Sequence, residues 1–90
     1  KFSEAVSFQI MCEDQDEVDH FWSKLTADGG QEGPCGWLKD KFGLSWQVFP
    51  AVLLGMLANS DRQKADRAMA AMLKMKKLDL AALQRAFDGK

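Results

Sequence analysis

The feature that most constrains the fold is a change of hydrophobic period along the chain. Residues 5–12 alternate between two sides, as in a β-strand with one apolar face. Apolar residues recur at helical spacing from residue 15, residues 44–49 are again typical of a strand, and the sequence after Pro50 is helical. In the first strand the apolar side comprises Val6, Phe8, Ile10 and Cys12, and the other side comprises Ser7, Gln9 and Met11.

The first helix is predicted at residues 15–28. Asp14 followed by Glu17 is typical of a capping box, in which the N-cap residue and an acid three residues later each bond to the backbone of the other. The pair Gly29-Gly30 predicts a left-handed end to the helix. The helix therefore follows the first strand directly.

Short strands and turns are predicted between this helix and Pro50. Residues 31–32 are a candidate strand, residues 33–34 a turn and residues 35–39 a second short strand. Residues 40–43 are predicted as a tight turn before the last strand at residues 44–49.

The predicted tail has three helices. A short apolar helix starts near Val52, Asp61 is placed to cap a longer helix, and Asp79 a last one. The fold class is therefore α+β, with one βαβββ module at residues 1–50 and a helical extension of the same domain at residues 51–90. A methionine-rich face of the tail predicts a packed core or an interface. It comprises Met56, Met69, Met72 and Met75.

The charge balance argues against nucleic acid and membrane partners. Lys and Arg total 12 and Asp and Glu total 13, so no positive excess is available for phosphate backbones or anionic lipid. The chain has no apolar run of membrane-spanning length, and two cysteines are too few for a secreted disulfide scaffold. A soluble, cytoplasmic protein is predicted. Because Lys1 enters a strand pattern almost at once without a methionine, we also expect sequence upstream of it.

The chain contains no self-sufficient catalytic motif. His20 falls opposite the apolar side of the first helix, which predicts a solvated residue rather than a ligand or base. Packing is the favoured role of Cys12, and also of Cys35, which lies near a turn. These residues lack the paired spacing of a zinc site. The basic face of the long tail helix is interpreted as solvated.

Five runs of residues resemble a known family. They are 7–12 (SFQIMC), 16–22 (DEVDHFW), 29–30 (GG), 35–40 (CGWLKD) and 42–50 (FGLSWQVFP). Together they resemble the C-terminal half of PhnB-like proteins. These proteins belong to the glyoxalase, bleomycin-resistance and dioxygenase superfamily, also called vicinal oxygen chelate, and many carry the domain description 3-demethylubiquinone-9 3-methyltransferase.

The resemblance implies a site shared by two modules. In this superfamily two modules pair, within one chain or across a dimer, and their sheets enclose a cup for a small ligand or a metal ion. The implied partner is a second module, either upstream of Lys1 or in a second copy that forms a homodimer.

The resemblance also implies that this module holds no metal ion and no other cofactor. Metal-dependent members carry a histidine in the first strand and a glutamate in the last, and these positions correspond to Ser7 and Gln47 here. Both side chains are neutral and weak metal donors. Polar residues on the cup face, with Trp37, are expected to bind a small organic ligand. The alternative is that they have no binding role and are polar side chains whose hydrogen bonds are made within the protein. The ligand-binding candidates are Ser7, Gln9, Ser45, Gln47 and Trp37.

Three functions are compatible with the resemblance. The leading hypothesis is metal-independent binding or transformation of a small organic ligand, and whether the chain is an enzyme stays open. The alternative is a protein that sequesters a toxic compound between aromatic walls, for which Trp37 and Trp46 are the candidates. The third is methyl transfer to a demethylubiquinone, as the family description states. It is disfavoured because the chain has no glycine-rich loop to hold S-adenosylmethionine.

Overall fold

The computed structural model describes residues 7–90, and its architecture is the predicted α+β one. Val6, which was assigned to the first strand, lies outside the described residues. The remaining predicted elements are present in the predicted order, with ends shifted by one or two residues. The elements are β1 (Ser7–Cys12), α1 (Gln15–Thr26), β2 (Gln31–Glu32), β3 (Trp37–Lys39), β4 (Ser45–Pro50), α2 (Val52–Leu57), α3 (Arg62–Met72) and α4 (Leu80–Asp88).

The four strands form one mixed sheet in the order β1-β4-β3-β2. Strands β1 and β4 are parallel, with Ser7 opposite Ser45, whereas β3 is antiparallel to both β4 and β2. Because parallel neighbours need a crossover connection, α1, β2 and β3 all lie between β1 and β4 in sequence. This topology brings the first and last strands of the module together at one side of the sheet.

The main core lies between α1 and one face of the sheet. Val18 and Trp22 of α1 pack against every second residue of the strands, which are the residues that point to the α1 side of the sheet. Phe8 lies on the same strand face but is 52% exposed, and its ring packs against that of Trp46 with centroids 5.1 Å apart and planes tilted by 45°. The strand residues in or against this core are Ile10, Cys12, Leu38, Trp46 and Val48.

Helix α1 begins where the sequence predicts and ends two residues earlier than predicted. The Asp14 carboxylate accepts a hydrogen bond from the Glu17 amide at 2.9 Å, which satisfies a free N–H group of the first turn. The helix ends at Thr26, and the following turn contains two positive φ angles, 57° at Asp28 and 104° at Gly29. The left-handed end of the helix was therefore predicted correctly, but it starts at Asp28.

The helical tail has its own core, in which a buried cluster joins α2, α3 and α4. The methionine prediction is confirmed for three of the four residues. Met56 is buried, Met72 and Met75 pack against the cluster, and Met69 is 39% exposed. The cluster consists of Leu53, Met56, Ala68, Leu78 and Leu83.

The tail is joined to the module by backbone hydrogen bonds. The amides of Cys35 and Gly36 donate to the carbonyls of Met75 and Lys76 at 2.7 and 2.8 Å. The two donors have φ angles of 59° and 84°, so they form a turn, and β3 begins at Trp37 rather than at residue 35 as predicted. Within residues 7–90 no helix combines the length and the apolar character that crossing a membrane requires.

Candidate functional site

The face of the sheet opposite α1, called here the open face, carries most of the predicted site. Strand register defines it, because residues paired across neighbouring strands point to the same side. Two rows of side chains cross the sheet on this face. The first row is Ser7, Ser45, Lys39 and Gln31, and the second row is Gln9, Gln47 and Trp37.

A hydrogen bond joins two of the predicted ligand-binding residues. The Gln47 carboxamide donates to the Ser7 hydroxyl at 3.3 Å, so the two side chains partly satisfy each other. Gln9 lies opposite Gln47 and is exposed. All three residues share the face that the sequence assigned to them, and their role in binding a ligand stays a prediction.

Ser7 and Gln47 do not fit a divalent metal site. They are adjacent, as the resemblance implies for the two ligand positions, but they offer a hydroxyl and a carboxamide in place of a histidine and a carboxylate. Among residues 7–90 no group of three His, Cys, Asp or Glu side chains is placed to hold an ion.

A cavity of about 470 Å³ lies where the first row crosses β2, β3 and β4. Trp37 and Ser45 line it, whereas Ser7, Gln9 and Gln47 lie beside it. Sequence reasoning missed Lys39 and Gln31, although the alternation of β3 puts Lys39 on the same side as Trp37. The lining residues are Gln31, Glu32, Gly33, Pro34, Trp37, Leu38, Lys39 and Ser45.

The hydroxyl of Ser45 is the least satisfied polar group at this site. Ser45 is 1% exposed, and its Oγ atom has no hydrogen-bond partner within the part of the chain that the structure describes. A buried hydroxyl without a partner costs about 1–3 kcal/mol, so such groups are uncommon in folded proteins. The alternative is that the polar residues of the open face have all their hydrogen bonds made within the protein. Ser45 does not fit this alternative, because its hydroxyl has no partner.

Asp40 organises the turn that connects Lys39 to Ser45. One carboxylate oxygen accepts from the amides of residues 42 and 44 at 2.9 and 3.0 Å, and the other accepts from the Trp46 indole at 2.9 Å. Burial raises the pKa of this carboxyl group, but these hydrogen bonds outweigh burial and hold the pKa below its ordinary value. Trp46 points to the α1 side, so of the two proposed aromatic walls only Trp37 lines the cavity.

We predict that Asp40→Asn lowers stability at neutral pH by about 1 kcal/mol and has a smaller effect at pH 2, because acid progressively removes the charge of the parent protein as well. A depressed folded pKa contributes stability that is present above the unfolded value of about 4 and is lost as pH falls through the folded value. Urea unfolding at pH 7 and pH 2 measures this difference. Asp66→Asn, at an exposed helical position, is the matched control. A loss independent of pH would contradict the prediction.

The structure confirms the packing role of Cys12 and the exposure of His20. Burial raises the pKa of the Cys12 thiol to about 11, with smaller contributions from the charges of Glu17 and Asp14. The thiol is therefore protonated at neutral pH and is not a nucleophile. Cys35 is half-buried in its turn.

The βαβββ module has one helix-covered face and one open face, and the family match assigns it to the glyoxalase-type domains. The family model described as 3-demethylubiquinone-9 3-methyltransferase matches residues 1–49, and the chain belongs to this PhnB-like family. A search of curated proteins finds no match. The match confirms the family that the five sequence runs resemble, and the helical tail lies outside the matched residues.

Proposed function

We propose that the chain binds a small organic ligand in the open-face cavity without using a metal ion. The observation that carries the proposal is a cavity of ligand size beside a buried hydroxyl that lacks a partner. Pockets for small molecules are typically about 300–1,000 Å³ and combine apolar walls with a few convergent polar groups. Here Trp37 is the aromatic wall, and Ser45 and Lys39 are the polar groups.

Metal independence is supported by the Ser7 and Gln47 pair. A hydroxyl bonded to a carboxamide is suited to orienting a polar ligand group and is a poor donor set for a divalent ion. In this proposal Gln47 and Gln9 contact the part of the ligand that extends from the cavity along the second row. The same arrangement serves both a transforming and a sequestering protein.

The test is a titration of ¹⁵N-labelled protein with a panel of neutral and charged aromatic and aliphatic compounds, including S-adenosylmethionine. A ligand is expected to shift the indole signal of Trp37, assigned with Trp37→Phe, and to leave those of Trp22 and Trp46 in place. Consumption of a bound compound beyond one equivalent would identify a transformation, and its absence would favour sequestration. No shift at Trp37 with any compound would refute the proposal, and binding of S-adenosylmethionine alone would favour methyl transfer.

We also propose that a second copy of the module completes the site at the β1 edge. Within residues 7–90, β1 pairs with β4 alone, and its six residues include no charge and no proline. Such edges attract another strand unless they are covered. Phe8 and Met11 of this strand are 52% and 53% exposed, which adds apolar surface beside the edge.

If two copies pair at the β1 edge, the mass in solution is expected to be twice that of the 10.1 kDa chain. Phe8→Lys is expected to shift the protein to monomer, because it places a charge in the apolar contact. Phe42→Lys is the control, since Phe42 is 73% exposed in the β3–β4 turn, away from the edge. Light scattering measures both variants. A monomeric parent protein, or dissociation by the control alone, would contradict pairing at β1.

A further inference from the structure

We infer that the ligand of the open-face cavity carries an anionic oxygen group attached to a flat apolar body. This inference rests on the proposed function and narrows it to a chemical class, organic carboxylates or phosphates. The reason is an excess of unused hydrogen-bond donors over acceptors around the cavity, which follows from where each neighbouring polar group is engaged.

The indole of Trp37 is an unused donor. The other two indoles each have an acceptor: Trp22 donates to the Glu32 carboxylate at 2.8 Å, and Trp46 donates to Asp40 at 2.9 Å. Within residues 7–90 the Trp37 N–H group has no acceptor. Because an indole nitrogen only donates, Trp37 needs an acceptor that residues 7–90 do not supply, such as a ligand oxygen or water.

The ammonium group of Lys39 is a second donor, and it carries the charge. The ion pairs of residues 7–90 are those of Arg62 with Asp66 and of Lys77 with Asp19, and neither involves Lys39. Lys39 is half-buried and lies opposite Ser45 in the ladder between β3 and β4. The ammonium and the partnerless hydroxyl therefore belong to the same row of the open face.

The cavity lining contains one carboxylate and one carboxamide, that of Gln31, which offers a donor as well as an acceptor and so does not remove the excess of donors. The carboxylate is that of Glu32, which already accepts from Trp22. Glu32 pairs with Leu38 in the ladder, so its side chain points to the α1 side rather than to the open face. A ligand that supplies acceptor oxygens and negative charge fits this lining better than a cation or a neutral donor.

Register gives the orientation of the ligand. Trp37 lies two residues from Lys39 along β3, a Cα separation of roughly 7 Å. An anionic group held between Lys39 and Ser45 therefore places the body of the ligand against the indole ring. A flat apolar body stacks on such a ring better than a branched one.

The test compares benzoate, phenyl phosphate and neutral benzamide by ¹⁵N NMR titration of the full chain. At least one of the two anions is expected to bind about tenfold more tightly than benzamide and to shift the Trp37 indole signal. The ratio of benzoate to phenyl phosphate affinity separates carboxylate from phosphate ligands. Equal binding of all three, or binding of neutral compounds only, overturns the inference and leaves the proposed function intact. Failure of every compound in both panels overturns the two together.

Variants test which groups are used. Lys39→Met keeps the apolar stem and removes the charge, and it is expected to weaken anion binding about tenfold, whereas Lys41→Met in the adjacent turn leaves it unchanged. Ser45→Ala is expected to weaken binding several-fold without lowering the urea midpoint, because it removes a buried hydroxyl that lacks a partner. Unchanged affinity in both Lys39→Met and Ser45→Ala would overturn the inference.

Discussion

Replacing Gly30 with alanine is expected to destabilise the chain by at least about 2 kcal/mol. A Cβ atom at this position would lie 2.7 Å from the Leu25 carbonyl oxygen, 2.7 Å from the Thr26 Cα and 2.9 Å from the Lys39 carbonyl oxygen. All three neighbours are backbone atoms, so a change of rotamer cannot relieve the overlap. The end of α1 and strand β3 would have to move apart.

Gly55→Ala is the matched control for this substitution. Gly55 lies in α2, is exposed and has open space around the position of a Cβ atom. Alanine is favoured over glycine in a helix by about 0.5–1 kcal/mol, so this variant is expected to be more stable than the parent. Urea unfolding followed by circular dichroism measures both. A Gly30→Ala protein as stable as the parent would contradict the close approach of α1 to β3.

Gly30 illustrates what the sequence does and does not predict. Two glycines after an amphipathic segment predict a helix end, and α1 does end just before them. The positive φ angle, however, falls at Asp28 and Gly29, and the role of Gly30 is a close contact with Lys39. That contact depends on how β3 packs against α1, and no local pattern encodes it.

For the candidate site, the sequence likewise predicted only part of the arrangement, namely which side chains share one face of the sheet. Strands β1 and β4 are six residues each, long enough for alternation to assign Ser7 and Gln47 to one face. Strand β3 has three residues, and although its alternation puts Lys39 on the side of Trp37, so short a strand gave no pattern that singled Lys39 out. That Ser45 lacks a partner follows from the positions of its neighbours in three dimensions, which the sequence does not supply.

Replacing Leu78 with alanine is expected to destabilise the whole chain by about 3 kcal/mol, within the range of about 2–5 kcal/mol for buried leucines. Leu78 is fully buried in the tail core, although it lies in the connection between α3 and α4. It also contacts the module, because a Cβ atom at Gly36 would lie 3.0 Å from its Cδ1 atom. Its carbonyl accepts a hydrogen bond from the Gln15 side chain of α1 at 3.0 Å.

Because these contacts join the tail to the module, we expect Leu78→Ala to shift one cooperative transition rather than to release the tail alone. Leu73→Ala is the control, since Leu73 is 60% exposed and its loss should change stability by less than about 0.5 kcal/mol. Thermal unfolding, and hydrogen exchange at the amides of β3, β4 and the three tail helices, measure the two variants. Protection lost only in the tail would show that residues 51–90 are a separate unit. Loss in both would show that the tail supports the Cys35–Gly36 turn, which leads into Trp37, and weaker ligand binding should accompany it.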